Sequence, residues 1–475
     1  VPNLSAPPWT EPLPAIDYGR ILVVDNSDLA WCRPRNLEYA AIYNIPAANV
    51  LSLPFGTNLG GYQPASDAVF LSTVVRPLQA KMDELQPSMV IFGAGVPARC
   101  VFYIREGGPA PIPFNVSATT LGTAGLWLAL MEARRIRGLE AITSGSAFAQ
   151  ATGTAVLEEL LTINGQTYFT IPYQAPTPLG DVLAGDPNNT TGAFREYSLR
   201  GGIVTIKVPT VAGLESAMSG NRPDMPFGKF GWGDIWQRGP YEDDAVIGQL
   251  LDRIRVAKNL GQPYGPQQDP FPPRKRPILM SLRGSAESTV DDDCAWCLLM
   301  KDWGLDVKYY YHNSAPNPPY DTLLPESGAV CTWAQWQAGL SPIQSVSWHL
   351  GCCENDEIFQ SPRLAMENNL AYRAGSHSTV VAQSTGNEWN VRAISERTAI
   401  AGTTDIAHRN GTQVWNDFSI WHGLLRGLPY ILATHCRQLA GNGTGVAIGD
   451  PLWAPFYVPE KRKPVLRYGP RRGPA

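Results

Sequence analysis

The strongest constraint on this chain is an alternation of short apolar runs with segments of helical spacing. "GRILVVDNSD" (19–28) is followed by "RPRNLEYAAIYNI" (33–45), and then by a second apolar run, "NVLSLPF" (49–55). "LSTVVRPLQAKMDEL" (71–85) leads to a third run, "SMVIFGAGVP" (88–97). The apolar runs are too short for core helices and read as strands buried on both faces. Strands joined by helices must cross over and pair in parallel, so the pattern dictates an α/β sheet with covering helices.

The pattern starts again near residue 277. "PILMSLRG" (277–284) reads as a strand and "STVDDDCAWCLLMKDWG" (288–304) as a helix, capped by Ser288 or Thr289 with acids in its first turn. "LDVKYYYH" (305–312), "SGAVCTWA" (327–334) and "IQSVSWHLG" (343–351) read as the second, third and fourth strands. A helix over "PRLAMENNLAYRAG" (362–375), a fifth strand "STVVAQS" (378–384) and a helix around "WNDFSIWHGLLRG" (415–427) follow. Between the two units the pattern is less regular. "ATTLGTAGLWLALMEARRIRG" (118–138) and "GTAVLEELLTI" (153–163) read as helices, "GGIVTIKVP" (201–209) as a strand, and "YEDDAVIGQLLDRIRVAKNLG" (241–261) as an amphipathic helix.

The expected organisation is a proline-rich arm (1–16), an α/β unit with an irregular insertion (17–261), a proline-dense linker (262–277), a second α/β unit (278–456) and a basic tail (457–475). The sequence carries 42 prolines and 45 glycines, which fits long ordered loops. A net charge of −4 argues against nucleic acid as a partner for the body of the protein. Only the tail, with Lys461, Arg462, Lys463, Arg467, Arg471 and Arg472 against Glu460, could attract an acidic neighbour, lipid or nucleic acid. No apolar run is long enough to span a bilayer. Eight cysteines do not make a disulfide scaffold. A first residue of Val fits a removed initiator Met or a cleaved leader, and the expected address leans to the cell surface or exterior, a virion included. Arms such as 1–16 and 457–475 fray unless something holds them, so a homo-oligomer or larger assembly docking through both ends is expected.

Three motifs invite chemistry. "GAGVPA" (93–98) matches a dinucleotide fingerprint in form, but "ARCVFYIREGGP" follows it and does not open a helix, so no cofactor is expected. "CAWC" places Cys294 and Cys297 at a redox spacing, yet Asp291, Asp292 and Asp293 disfavour a thiolate there. Val290, Cys294, Cys297 and Leu298 share one helix stripe, which points to core packing. No metal site is expected. Trp303, Trp333, Trp336, Trp348, Trp389, Trp415, Trp421 and Trp453 offer a weaker reading as a glycan platform, with core packing as the alternative.

The third motif is "HLGCC" (349–353) at the end of a predicted strand. All six histidines lie after residue 311 and six of the eight cysteines after residue 293, so nucleophilic chemistry would belong to the second unit. A predicted strand ending in this cysteine pair resembles the gingipain-type cysteine peptidases, which share the caspase-like fold and in which a strand ends in Gly-x-Cys-Cys with the second Cys as nucleophile. "RILVVDNSD", "LEYAAIYNIPAANVLSL", "AGSHSTVVAQSTGNEW" and "WHGLLRGLPYILATHCRQLAGNGTGVAIGDPLWAPF" resemble more closely an uncharacterised, gingipain-related bacterial family found in genomes with exosortase sorting systems. The resemblance covers about 17–100 and 275–456, and implies a caspase-like second unit with Cys353, or Cys352, as nucleophile. It also implies a histidine turn at the matching stretch "GAVCTWAQW", which contains none. His312 would lie three strands away, roughly 14 Å at ~4.8 Å per strand. His349 stands on the cysteine strand itself, and His377 precedes the predicted fifth strand. Without a positioned base a thiol loses general-base help of about 10²–10⁴-fold. The expectation is therefore a non-catalytic assembly subunit, with a cysteine endopeptidase as the alternative.

Overall fold

The first apolar run forms β1 (Ile21–Asn26), all of it buried. Helix α1 (Cys32–Ile42) follows and buries Cys32, Asn36, Tyr39 and Ala40, one face at helical spacing. Then come β2 (Val50–Leu53), α2 (Arg76–Leu85), β3 (Met89–Phe92) and, after a long excursion, β4 (Phe227–Lys229). The sheet order is β2–β1–β3–β4, parallel throughout. Helix α3 (Asp244–Asn259) lies beside α1, tied to it by Arg35 to Asp244 at 2.7 Å and by Arg255 to Glu38. This computed structural model describes residues 7–11, 13–59, 69, 71–97, 101–104, 112–115, 158–163, 166–170, 194–198, 205–219, 226–231, 242–259, 277–283, 288–312, 323–338, 340, 342–343, 348–352, 370–374, 401–405, 418–433 and 445–454.

The second sheet is built from β5 (Ile278–Arg283), β6 (Val307–His312), β7 (Trp348–Cys352), β8 (Leu370–Ala374), β9 (Ala401–Asp405) and β10 (Gly445–Gly449). Its order is β6–β5–β7–β8–β9–β10, parallel except for the last pair. Helix α4 (Ser288–Asp302) joins β5 to β6 as the alternation predicts, and α5 (Phe418–Arg426) precedes β10. Cys294 and Cys297 are buried with Leu298, and so are Trp296, Leu299 and Met300, so among the described residues burial extends beyond the expected stripe, while Lys301 and Asp302 are exposed.

Three sequence expectations give way. Residues 327–334 form no strand. A turn at Glu326–Gly328 leads to a short helix, Trp333–Gln337, whose Thr332 and Gln335 exchange side chain–backbone bonds in a capping box. Val330 N–H meets the Tyr309 carbonyl at 2.9 Å, so this segment borders β6 and does not enter the sheet. The helix expected over 362–375 contains β8, which pairs with β7 from Trp348↔Leu370 to Cys352↔Ala374. The helix expected over 153–163 contains the strand Glu158–Ile163, paired in a hairpin with Gln166–Thr170. The Asn164-Gly165 dipeptide between these strands favours a two-residue hairpin turn. The predicted segments 118–138 and 378–384 and the linker 262–276 lie outside the described residues.

The two sheets are not independent. Beyond β4, Gly231 forms an antiparallel bridge with Gly449 at the end of β10, with hydrogen bonds of 3.0 and 2.9 Å in the two directions. One buried cluster runs without a break from Ile21 and Val23 of the first unit to Trp296, Tyr310 and Trp421 of the second. The two α/β units therefore share a core.

Candidate functional site

The motif with the most chemistry in the sequence is on β7. His349 pairs with Leu279 of β5 and Ala371 of β8, and Cys352 is the last residue of the strand, level with Ala374. Positions 349 and 352 fall on opposite faces of a pleated strand. Because 327–334 stays out of the sheet, β7 is the third strand of its unit and not the fourth. His312, paired with Arg283, is thus two strands from β7 and not three. At ~4.8 Å per strand the separation falls to roughly 10 Å, still beyond a direct hydrogen bond for side chains standing upright on a sheet. Cys353 and His377 lie outside the described residues. Among the described residues, no three His, Cys, Asp or Glu side chains gather as a metal site would require.

In the first unit the carboxyl ends of the strands, where α/β proteins form their crevices, are bound together by buried polar side chains. Asn26 donates through Nδ2 to the carbonyls of Gly56 and Gly95, at 2.8 and 2.9 Å, and its Oδ1 accepts from the N–H of Asp28 and Phe55. Asn36 donates to the Ala94 carbonyl and accepts from the Ala94 N–H, mimicking a strand pairing. Lys229, fully buried, donates to the carbonyls of Gly93 at 2.7 Å and Phe230 at 2.9 Å and to Glu242 at 3.1 Å. Burial holds the Lys229 pKa below its ordinary range, against the opposing pull of Glu242.

The glycines of "GAGVPA" serve this packing. A Cβ on Gly93 would fall 2.4 Å from Asn36 Oδ1, and one on Gly95 would fall 1.9 Å from Cys32 Sγ. Gly95 also adopts φ +81°, a left-handed conformation that favours glycine. The loop is thus occupied by α1, where a dinucleotide site would need open backbone. Burial, with Glu242 adding to it, pushes the Cys32 thiol up to about 12, so it stays protonated and inert.

The sequence reading passed over the cluster that joins the units. Asp450, one residue beyond β10 and buried, accepts from Tyr39 Oη at 2.9 Å, from Tyr43 Oη, and from the Leu452 N–H at 3.0 Å. Both tyrosines belong to α1 and its C-terminal end, on the other sheet. Burial first, and then the Asp450 charge, raise their pKa values far above the ordinary range, so both remain donors. The "GDP" of the closing motif was the available signal: an Asp directly after a strand and before a proline turn.

Four of the tryptophans weighed as a glycan platform are interior: Trp303, Trp336, Trp421 and Trp453. Trp336 stacks on Tyr310 at 4.4 Å, and half-buried Trp333 stacks on the same ring at 6.3 Å. Trp389 and Trp415 lie outside the described residues. Compared with protein-family models, curated proteins and solved structures, the chain matches none.

Proposed function

We propose that this chain is a non-catalytic subunit of a surface, extracellular or virion-like assembly, built on a degenerate caspase-like frame. The frame is supported by the order of the second sheet, which extends the caspase-like 2-1-3-4 arrangement to six strands with the last reversed. The observation that carries the loss of catalysis is the company of Cys352. Its in-register neighbour on β8 is Ala374, and the β5 strand on its other side ends at Leu282 and Arg283. Neither flanking strand brings a general base to the carboxyl end of β7. The stretch matching the family's histidine turn is a capped helical turn bordering β6, and it contains no histidine. Among the described residues, the strands beside that thiol offer no group to activate it as a nucleophile. The hydrogen bonds of Asn26, Asn36 and Lys229 at the first sheet's carboxyl ends support the same reading, because these groups are committed to holding the fold.

The competing reading, a gingipain-type endopeptidase using Cys353 or Cys352, draws on the place of Cys352 at the carboxyl end of an interior strand. Thiol labelling of the native protein separates the two. Brief iodoacetamide exposure near neutral pH, read residue by residue by mass spectrometry, should leave Cys352 and Cys353 as slow as buried Cys32, Cys294, Cys297 and Cys331. Rapid, selective labelling of either member of the pair would overturn the non-catalytic reading.

A further inference from the structure

The chain's own proline-rich arm closes over a titratable side chain of the second unit. Pro8–Thr10 form a single turn against α5, with Pro8 buried. The Trp9 ring meets Trp303 edge-on at 6.2 Å, and Trp296 links Trp303 to Trp421 of α5 through ring contacts at 5.5 and 5.9 Å. His422 and Arg426 stand four residues apart on α5 and so share one helix face. A Glu11 carboxylate oxygen lies 3.2 Å from Arg426 Nε, and the other lies 3.9 Å from His422 Nε2, too far for a hydrogen bond. The His422 side chain is 1% exposed, and among the described residues its Nε2 is sealed from water without a hydrogen-bond partner.

We propose that the Pro8–Glu11 turn is an acid-released strap: protonation of His422 lifts it off α5 while the rest of the fold stays closed. The charges that face His422 are Arg426 from its own helix and Glu11 from the arm. α4 meets α5 through the rings of Trp296 and Trp421, and the strand Thr205–Pro209, which also runs beside α5, carries one charged residue, Lys207. A proton on His422 therefore sets a second cation one helical turn from Arg426, in a site closed to water, where the Glu11 carboxylate is already held by Arg426. Like charges at this spacing repel, and a buried charge short of partners is costly. Burial first, and then Arg426, hold the His422 pKa down to about 3, whereas an imidazole in water titrates near 6.5. A state that readmits water to Nε2 thus gains on the docked one as the pH falls, by up to about 30-fold between pH 7.5 and pH 5. The arm is the element able to yield. Its one turn is closed by its own bond, Glu11 N–H to the Pro8 carbonyl at 3.0 Å, which survives departure from α5. Fastening resumes at Leu13, packed on the core, and at buried Pro14 and Ile16, so the root stays in place. Peripheral segments of this kind open locally at far lower cost than the elements beneath them.

The test is hydroxyl-radical footprinting of the full chain at pH 7.5 and pH 5, with oxidation of each tryptophan read by mass spectrometry. Oxidation of Trp9 and Trp303 should rise at pH 5, by up to about 30-fold, and fall back on neutralisation. Trp336, buried against Tyr310, should stay protected at both values. In His422→Gln, which takes up no proton, the rise should vanish while circular dichroism shows the fold intact. In Trp9→Ala the strap loses its ring contact, so Trp303 should be open already at pH 7.5 and gain little on acidification. That variant keeps the inference testable if His422→Gln does not fold. No rise at pH 5 would overturn the inference, and so would a rise shared by Trp336, which reports general unfolding. A rise that persists in His422→Gln would assign the proton to another group, and a Trp303 response in Trp9→Ala identical to wild type would show that the arm covers nothing. Either result would also overturn it.

Discussion

Replacing Asp450 by Ala tests whether the junction between the two units is held as the geometry implies. The substitution takes from two buried hydroxyls, Tyr39 Oη and Tyr43 Oη, the carboxylate that accepts them, and takes the same acceptor from the Leu452 N–H. A buried donor deprived of its partner costs about 1–3 kcal/mol, so Asp450→Ala should lose about 3–5 kcal/mol once some relaxation is allowed. Asp450→Asn keeps the shape and one acceptor oxygen, and should lose about 1–2 kcal/mol. The pattern of loss matters as much as its size. In a background where both tyrosines are Phe, Asp450→Ala should cost much less, because the donors it would strand are gone. Urea unfolding followed by tryptophan fluorescence and by far-ultraviolet circular dichroism measures both effects. Because the clamp joins α1 to the end of β10, the two probes should coincide in the wild type and separate in the Ala variant. Asp450→Ala within 1 kcal/mol of wild type, with coincident probes, would refute the clamp.

His422 is buried beside Arg426, and burial first, then that neighbouring charge, hold its pKa down to about 3. The unfolded imidazole takes its proton near pH 6.5 while the folded one does not, so stability should fall on acidification below pH 6.5, by about 2 kcal/mol at pH 5. His422→Gln should flatten that slope in denaturant midpoints measured between pH 7 and pH 5. Removing one member of the buried Lys229–Glu242 pair, as Lys229→Met, should cost about 3–5 kcal/mol, whereas the double change Lys229→Met with Glu242→Leu should recover part of the loss. Thermal melts of the three proteins check this order. Gly95→Ala should lower the melting midpoint markedly, because the new Cβ would sit at left-handed φ and within 1.9 Å of Cys32 Sγ. A melt matching wild type would show that α1 and the loop can move apart.

The alternation of apolar run and helix made both parallel sheets legible, because strands buried on both faces leave a continuous apolar signal. β1, α1, β2, β3, α3, β5, α4 and β6 lie where the sequence puts them. The strand expected around Val330 shows where that logic fails. Its apolar residues suit a strand, but Thr332 and Gln335 carry a capping-box signal, and that reciprocal pair of local hydrogen bonds outweighs a weak periodicity. That single misreading moved the cysteine strand one place in the sheet and lengthened the expected distance to His312. Leu370–Ala374 was lost for a related reason: it is a short run flanked by good helix formers, and its strand character comes from pairing with β7. At the candidate sites, Cys352 was visible as a motif. Lys229, Glu242, Asn36 and Asp450 were not, because their partners lie far away in sequence, and a buried polar residue looks like a surface one until the fold closes over it.

The bridge between Gly231 and Gly449 also bears on how the chain recognises itself. It closes the outer side of β4 and the outer side of β10 with two hydrogen bonds, the α1–Asp450 contact standing just behind it. A chain severed between residues 260 and 276 would leave two fragments, each with one newly bared strand margin and half of a complementary polar lock. Such fragments carry their own address label: each margin is shaped to accept the other, and covalent continuity alone keeps that affinity out of sight. The seam would thus serve as the joint of a split reporter, with reassembly of the halves from separate polypeptides as its signal.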